Sequence, residues 1–352
     1  MAGIRRQRIR NRMENNKIKL KIIFLGTSEF GAIVLEGLIQ NNYKPILVIT
    51  APDKPMGRRQ ILTPPPVKLL AKKYNIPIEQ PEKIKNLKPQ PLCRGAGPRP
   101  FEKRRWLKIK NLQAELVVTA AYGQILPKEI LKIPRYGCLN VHPSLLPKYR
   151  GPSPIHTAIL NGDKKTGVTI IKMIEKVDSG SIIAQKELIS LTGRETYKTL
   201  HNQLAEKGAN LLIETIPKWI KGEIEPKPQD ESKASYTKIL TRQDGKIDWK
   251  KSAEEIERQI RAFEKWPGSF TFWEIMKEKL LRIKILKAGI FKSPVSKTFS
   301  VGKILVVPQN QVGVQCGKDF LIIEELQLEG QKPMSSEEFL RGHPDFAHAT
   351  LK

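Results

Sequence analysis

Apolar residues in the first part of the chain fall into short runs around one amphipathic segment. Phe30, Val34 and Leu38 recur every four residues, which predicts a helix with one buried stripe, and Ser28 stands where its N-cap is expected. Runs rich in Ile, Val and Leu predict buried strands at residues 19–25, 46–50 and 115–120. The order strand, helix, strand is typical of a parallel α/β sheet with right-handed crossovers.

This alternation continues through the middle of the chain. Further strands are predicted at residues 167–173 and 181–189, and further helices at residues 152–161 and 195–220. Residues 222–235 are polar and contain prolines, so they are expected to link two domains. The length of 352 residues also suggests two domains.

A run of short strands follows the expected linker. Ser252 and Glu255 form a Ser-x-x-Glu pair that predicts a capped helix over residues 252–263. Five short β runs come next, at residues 269–273, 280–286, 302–307, 312–315 and 320–328. The predicted fold class is therefore α/β. A Rossmann-like, mainly parallel sheet over residues 19–221 precedes a small OB-like β-barrel domain over residues 236–345.

Two segments do not fit this plan. Residues 1–17 are Arg-rich and lack the apolar core of a secretory signal. We expect residues 1–18 to be a disordered extension, or a start placed too early, with Met13 the true one. Residues 86–113 include a stretch rich in Pro, Gly and Arg, and are either an inserted flexible loop or a stretch read in the wrong frame.

The charge of the chain favours a polyanionic partner. Its 62 Lys and Arg residues outnumber its 35 Asp and Glu residues, for a formal net charge of +27. Residues 1–235 hold 42 of the basic and 20 of the acidic residues, so +22 of the excess lies there. Because binding to phosphates is driven by such a charge, nucleic acid is the favoured partner.

Composition and motifs argue against other classes of protein. No apolar run approaches the roughly 20 residues that span a bilayer, so no membrane association is expected. Cys93, Cys138 and Cys316 lack the spacing of a zinc or redox site and are expected to be free thiols in a reducing compartment. Residues 26–31 lack the GxGxxG spacing, and no acidic residue ends the second strand, so a dinucleotide dehydrogenase is disfavoured.

An Asn-x-His pattern is the strongest chemical signal. Asn140 and His142 follow the short apolar run 137–139 and, two positions apart on a strand, point to the same side. Pro143 has no N–H and ends the ladder, which leaves an amide and an imidazole where open α/β sheets bind ligands. For such a motif in isolation, a strand that simply ends in a polar turn is the alternative.

Two further segments are weaker signals. Residues 51–60 are predicted to form an exposed basic loop near the carboxyl edge of the sheet. Its Arg58 and Arg59 either contact phosphate or face solvent. Asp178 lies in an Asp-Ser-Gly sequence, which is normally turn chemistry.

Several segments together resemble the methionyl-tRNA formyltransferases. The resemblance covers nearly everything from residue 19 to about residue 344, and residues 140–151 (NVHPSLLPKYRG) carry most of it. Other matching segments are residues 24–27 (FLGT), 121–127 (AYGQILP), 177–180 (VDSG), 228–234 (PQDESKA) and 266–268 (WPG). Asn-x-His with the later Asp is shared by all formyltetrahydrofolate-dependent transferases, whereas the linker and the barrel point to the tRNA-directed branch.

The resemblance implies a catalytic domain over residues 19–221 and a tRNA-binding barrel over residues 236–345. It implies formyl transfer from 10-formyltetrahydrofolate to the α-amine of methionyl initiator tRNA, through a tetrahedral oxyanion and without a metal or a covalent intermediate. Asn140 and His142 would stabilise the oxyanion, with His142 as a protonated donor. Asp178 would hold the imidazolium and help to move the proton from the attacking amine to the leaving nitrogen.

The resemblance also implies binding residues. Four of them would form part of the folate site, the alternative being that they only cap a helix: Ser144, Leu145, Leu146 and Pro147. Arg58 and Arg59 would meet the acceptor stem of the tRNA, and the basic barrel would support the rest of it. The protein is expected to be a cytoplasmic monomer.

Two other functions stay open at this point. The same three residues would serve formyl transfer to another amine, such as a sugar nucleotide or glycinamide ribonucleotide, or hydrolysis of formyltetrahydrofolate. The basic barrel argues against both. A non-catalytic tRNA-binding protein on a degenerate transferase scaffold is the other alternative, and the presence of Asn140, His142 and Asp178 argues against it.

Overall fold

A computed structural model describes most of the chain after its first residues. The described residues are 20–57, 59–87, 109–188, 191–276, 279–292, 299–307 and 311–352. The predicted N-terminal extension, Arg58 and residues 88–108 of the Pro-, Gly- and Arg-rich segment lie outside the described residues.

The chain forms two compact units, and neither is one continuous stretch of sequence. The first unit comprises the described chain up to His142 together with residues 169–185 and 205–229. The second comprises residues 143–168, 186–204 and 230–352. One of these divisions, between Gln229 and Asp230, falls inside the expected linker at residues 222–235. The domain limits expected from the sequence stay predictions.

The strands described up to residue 188 form one large sheet and one hairpin. They are β1 (Ile22–Gly26), β2 (Leu47–Ile49), β3 (Lys54–Met56), β4 (Ile61–Thr63), β5 (Ile78–Glu79), β6 (Leu116–Ala120), β7 (Cys138–His142), β8 (Thr166–Lys172) and β9 (Ile182–Leu188). The sheet has the order β5-β2-β1-β6-β7-β8-β9. The first five strands in this order, β5-β2-β1-β6-β7, pair in parallel, and β8 runs antiparallel to β7. The predicted mainly parallel sheet is confirmed.

Burial explains why these strands appear in the sequence as continuous apolar runs. Every residue of β1 and β6 is buried, because helices and loops cover both faces of a parallel sheet. Ile23 and Leu25 of β1, Ile49 of β2 and Val117 of β6 belong to one core cluster of the first unit. Because these strands show no alternation of apolar and polar residues, the sequence could not show which face of the sheet each residue occupies.

Of the helices described up to residue 220, the first four connect these strands and the fifth follows β9. They are α1 (Glu29–Gln40), α2 (Pro66–Lys73), α3 (Lys128–Leu131), α4 (Pro154–Leu160) and α5 (Tyr197–Ile220). The predicted stripe of α1 is confirmed, because Phe30, Val34 and Leu38 are all buried. Ser28 occupies the predicted N-cap position, but within the described part of the chain its side chain makes no capping hydrogen bond.

The segment 51–60 corrects one expectation. Instead of a loop, it contributes to a hairpin in which β3 pairs antiparallel with β4. Gly57 and Gln60 have left-handed backbone, with φ values of 70° and 49°, and this closes the turn. The strands have only three residues each and are largely exposed, so no apolar alternation marked them.

The second unit contains an antiparallel sheet with the order β10-β11-β14-β13-β12, and a short strand pairs with β14. Its strands are β10 (Ser269–Met276), β11 (Lys279–Phe291), β12 (Ile304–Val307), β13 (Gln311–Gln315), β14 (Phe320–Leu328) and β15 (Met334–Ser335). The five predicted β runs are confirmed as β10 to β14, and they form the C-terminal half-barrel. β15 was not predicted.

Two helices complete this C-terminal region, α6 (Ala253–Ala262) and α7 (Ser336–Gly342). The predicted capping pair is confirmed, since Ser252 and Glu255 bond to each other's backbone N–H. Trp273, Phe339 and Phe346 meet edge to face, with ring centroids 4.9–5.9 Å apart, inside the apolar core. Of the helices that the structure describes, none has the length and apolar composition needed to cross a bilayer.

Candidate active site

The Asn-x-His pattern lies at the carboxyl end of β7, in the first unit. Asn140 and His142 point to one side of the strand, and Val141 between them is buried on the other. The strand ends at His142 because Pro143 has no N–H for the ladder. His142 is only 4% exposed, so its imidazole lies in a largely desolvated position.

Asp178 joins these two residues. Its carboxylate Oδ1 accepts a hydrogen bond of 3.3 Å from Asn140 Nδ2, and its Oδ2 lies 3.5 Å from His142 Nδ1. The second distance is longer than an ordinary hydrogen bond, which is common in sites without bound substrate. The structure therefore brings together an amide, an imidazole and a carboxylate from segments that are far apart in the sequence.

Thr119 on the neighbouring strand fixes the amide of Asn140. The two residues are register partners in the β6–β7 pair, and Thr119 Oγ1 donates to Asn140 Oδ1 at 2.8 Å. With its oxygen bonded on that side, Asn140 presents its NH₂ group to Asp178. Sequence reasoning missed this residue, and the only signal was a buried Thr in an otherwise apolar strand.

The turn that carries Asp178 is tightly constrained. Asp178 has a left-handed backbone with φ of 49°, which is uncommon for a residue other than Gly. Gly180 leaves no room for a side chain, because a Cβ there would overlap the carbonyl oxygen of Lys172. Gln229 Nε2 donates to the carbonyl oxygens of Asp178 and Gly180 at 2.8 and 2.7 Å. Gln229 was placed in the polar linker by sequence and was not expected to contact the site.

Cys138 lies on the same side of β7 as Asn140 but does not supply a nucleophile. Its side chain is 1% exposed, and burial raises the pKa of its thiol to about 12. The thiol therefore stays protonated near neutral pH, whereas a thiolate is the nucleophilic form.

The four residues expected to contact folate follow His142 closely in the sequence and belong to the second unit. Ser144 is buried, and its hydroxyl donates to the carbonyl oxygen of Lys148 at 2.6 Å. Leu146 is also buried, while Leu145 and Pro147 are partly exposed. The alternative of a helix cap is wrong, because Ser153 occupies the N-cap position of α4. The folate role of these four residues stays a prediction.

Of the two arginines expected to bind tRNA, Arg59 is described. It lies exposed in the turn between β3 and β4. The adjoining Met56, Ile61 and Leu62 are 59–64% exposed, so the hairpin presents both basic and apolar side chains to solvent.

A cluster at the base of this hairpin holds it in place. Lys68 Nζ contacts both carboxylate oxygens of Asp53 at 2.7 Å, and Gln80 Nε2 donates to one of them at 2.8 Å. These hydrogen bonds, that of Gln80 first, hold the pKa of Asp53 below its ordinary value.

Comparison with known protein families gives a consistent assignment. Residues 20–216 match the family model described as formyl transferase, and residues 239–344 match the formyl transferase C-terminal domain. The methionyl-tRNA formyltransferase of Halalkalibacterium halodurans is 40% identical over 324 residues, which cover 92% of this chain and 95% of that protein. That of Bacillus velezensis is 42% identical over 323 residues, covering 92% and 94%.

A solved structure shares the fold at lower identity. The N-formyltransferase from Helicobacter canadensis, in complex with folinic acid and dTDP-3-aminofucose, superposes with a TM-score of 0.57. It is 21% identical, and the match covers 86% of this chain and 98% of that one. At this identity the likeness shows the fold alone.

Proposed function

The chain belongs to the formyl transferase family, and we propose that it transfers the formyl group of 10-formyltetrahydrofolate to the α-amino group of methionyl initiator tRNA. One observation carries the proposal. Asn140, His142 and Asp178 meet at the end of β7, in a chain that is 40% identical to methionyl-tRNA formyltransferases over both family regions.

The reaction requires donors for a developing negative charge. The amine nitrogen attacks the formyl carbon, and the carbonyl oxygen becomes an oxyanion in the tetrahedral intermediate. Asn140 Nδ2 and the imidazole of His142 would supply them, at a strand end where little water competes. Such preorganised donors act strongly in a desolvated site, and removal of one typically costs about 10²–10³ in rate.

Asp178 holds these two side chains next to each other. Its carboxylate accepts from Asn140 Nδ2 and lies 3.5 Å from the Nδ1 of His142. The attacking amine must lose a proton, and the folate N10 must gain one as its bond to the formyl carbon breaks. Asp178 is the carboxylate available in this cluster to accept and return that proton, directly or through a water.

The surroundings of the cluster support a folate donor. Ile174 and Val177, on the segment that leads to Asp178, are 50% and 45% exposed, and Ile125 after β6 is 67% exposed. An ion pair of 3.2 Å between Lys128 and Glu175 joins the two segments. Exposed apolar side chains of this kind suit the flat ring system of a folate.

The hairpin of the first unit supports contact with nucleic acid. Arg59 is exposed in the turn between two strands whose side chains face solvent, and Arg58 precedes it in the sequence. Arginine is well suited to phosphate because its planar guanidinium can form paired hydrogen bonds. We propose that this turn meets the acceptor stem.

The C-terminal region offers a second surface of suitable chemistry. The Arg282 guanidinium on β11 lies 3.7 Å from the ring centroid of Phe270 on β10. The Nζ of Lys246, which precedes β10 in the sequence, lies 5.6 Å from the ring centroid of Phe272. Lys284 is exposed and pairs across the strands with Phe270. Cations interleaved with aromatic rings are typical of nucleic-acid surfaces, so this face is proposed to support the tRNA body. Action on initiator tRNA also implies a cytoplasmic protein.

Acceptor competition tests the proposal. The purified protein would be given radiolabelled 10-formyltetrahydrofolate and methionyl initiator tRNA, with an amino-sugar nucleotide and glycinamide ribonucleotide as competitors in excess. We expect label to appear on the tRNA and its amount to be unchanged by the competitors. Label on the sugar or the ribonucleotide instead, or release of free formate, would refute the assignment of the acceptor.

A further inference from the structure

Gln229 makes a paired contact with the turn that holds the catalytic carboxylate. Its two amide hydrogens are directed to two different carbonyl oxygens, that of Asp178 at 2.8 Å and that of Gly180 at 2.7 Å. Both distances are typical of good N–H···O hydrogen bonds. All three residues belong to the first unit, although Gln229 lies 51 residues after Asp178 in the sequence.

The turn needs such support because its backbone is unusual. The left-handed φ of Asp178, 49°, is a conformation that is unfavourable for a residue with a Cβ. Gly180 is pressed against the Lys172 carbonyl, and Lys172 N donates to Ser181 O at 2.9 Å. The turn therefore passes closely over the end of β8, and the carbonyl oxygens of Asp178 and Gly180 accept from Gln229.

The backbone around Gln229 is itself fixed. Lys227 forms an isolated antiparallel bridge with Ile182, with backbone hydrogen bonds of 2.8 and 2.9 Å. This bridge places the residue two positions later beside the turn. Gln229 therefore reaches the two carbonyls from a defined position rather than from a freely moving chain.

The contact also explains the residue type. A neutral amide supplies two N–H donors, one for each carbonyl. A glutamate of the same length would set carboxylate oxygens against two carbonyl oxygens, and an asparagine is shorter by one methylene. The geometry thus requires a side chain of this length with two donors.

We propose that Gln229 is a positioning residue for Asp178. By holding the carbonyls of the turn, it keeps the left-handed conformation that brings the Asp178 carboxylate to Asn140 and His142. This inference rests on the proposed function for its catalytic consequence, but its geometric part does not. The sequence segment expected to be a simple linker thereby contributes to the active site.

Two near-isosteric variants test the proposal, Gln229→Met, which removes the donors, and Gln229→Glu, which replaces them with acceptors. We expect kcat to fall about 10- to 100-fold in Gln229→Met and further in Gln229→Glu. In each variant, the KM for the folate and the KM for the tRNA should stay within about threefold of the wild-type values. Two variants at exposed positions serve as controls: Glu225→Gln for a change in the same segment, and Gln203→Glu for the added negative charge. Both should leave kcat unchanged.

The pH dependence distinguishes positioning from a general loss of stability. In Gln229→Glu, protonation of the introduced carboxylate restores one donor, so the kcat deficit of this variant relative to wild type should shrink as the pH falls from about 8 to about 5.5. A deficit that stays constant, or kcat within about threefold of wild type in both variants, would overturn the proposal.

A readout independent of activity separates this inference from the proposed function. Crystal structures of the wild type and of whichever variant folds would give the φ of residue 178 and the separation of Asp178 from His142. We expect the variant to lose the left-handed φ or to move the carboxylate away. An unchanged turn in the variant would refute the positioning role, whereas an inactive wild type with the expected shift in the variant would refute only the proposed function.

Discussion

Replacement of Thr119 by valine removes one hydrogen bond from the site and changes almost nothing else. Thr119 is 3% exposed and lies in the middle of the sheet, where valine has nearly the same shape and a high strand preference. Its hydroxyl has a single hydrogen, and the shortest contact, 2.8 Å, is with Asn140 Oδ1, ahead of Met173 Sδ at 3.2 Å and Leu139 O at 3.4 Å. The variant leaves Asn140 Oδ1 without this donor.

The expected size follows from that loss. A buried polar atom that loses its partner costs about 1–3 kcal/mol, and if the amide turns to recover a partner, its NH₂ leaves the position that faces the oxyanion. The same energy taken from the transition state corresponds to a fall in kcat of about 5- to 150-fold.

Steady-state formylation of methionyl initiator tRNA measures this effect. We expect KM to change little and the melting temperature to fall by a few degrees at most, while Thr119→Ser, which keeps the hydroxyl, restores most of kcat. Full activity in Thr119→Val, or equal loss in the serine and valine variants, would refute the orienting role of the hydroxyl.

Three further predictions test other parts of the account. Asp178→Asn replaces an acceptor with a donor facing Asn140 and His142. The kcat should therefore fall at least about a hundredfold, while the KM for the folate stays within about threefold of the wild-type value. A smaller fall in kcat would contradict a catalytic role of the carboxylate. Arg59→Ala should raise the KM for tRNA and leave kcat unchanged. It should also reduce, by about one, the slope of the logarithm of the tRNA binding constant against the logarithm of the salt concentration. An unchanged slope would contradict contact with a phosphate. His156 has a pKa lowered to about 4, chiefly by burial and then by His201, against an ordinary value of 6.5. The folded state therefore favours the neutral imidazole, and the free energy of unfolding decreases as the pH falls from about 6.5 towards 4. Between pH 7 and pH 5, this decrease should be about 2 kcal/mol smaller in His156→Phe than in the wild type, as measured by urea unfolding. An equal decrease in both proteins would contradict this.

The sequence could predict those features that depend on local periodicity and on single residues with strong backbone effects. Asn140 and His142 share a face because a strand has a period of two, and Pro143 ends that strand because it lacks an N–H. The capping pair of Ser252 and Glu255 likewise marks its helix without reference to the rest of the molecule. The strands of the C-terminal half-barrel were found for the same reason, since each is a short apolar run between turn residues.

The remainder of the site depends on register and chain path, which local patterns do not encode. Asp178 reaches Asn140 because β8 returns antiparallel to β7, whereas the sequence alone showed only an ordinary turn, and its role came from the family resemblance. Thr119 lies in a strand buried on both faces, so its side chain could not be assigned to the site. Gln229 lies among polar residues typical of a linker, and only the bridge between Lys227 and Ile182 places it at the turn.

The hairpin of β3 and β4 shows a different limit. Its strands are short and exposed, and its turn depends on left-handed residues rather than on buried side chains. An apolar pattern is therefore absent, and a Pro- and Gly-containing segment is more readily predicted as a loop.

We propose that this protein formylates methionyl initiator tRNA through the cluster at the end of β7. The most direct test is the formation of formyl-methionyl-tRNA by the purified protein with 10-formyltetrahydrofolate, compared with His142→Ala under the same conditions. We expect product with the wild type and at least about a hundredfold slower formation with the variant, because one oxyanion donor is lost. A folded wild type that forms no product, or a variant as fast as the wild type, would contradict it.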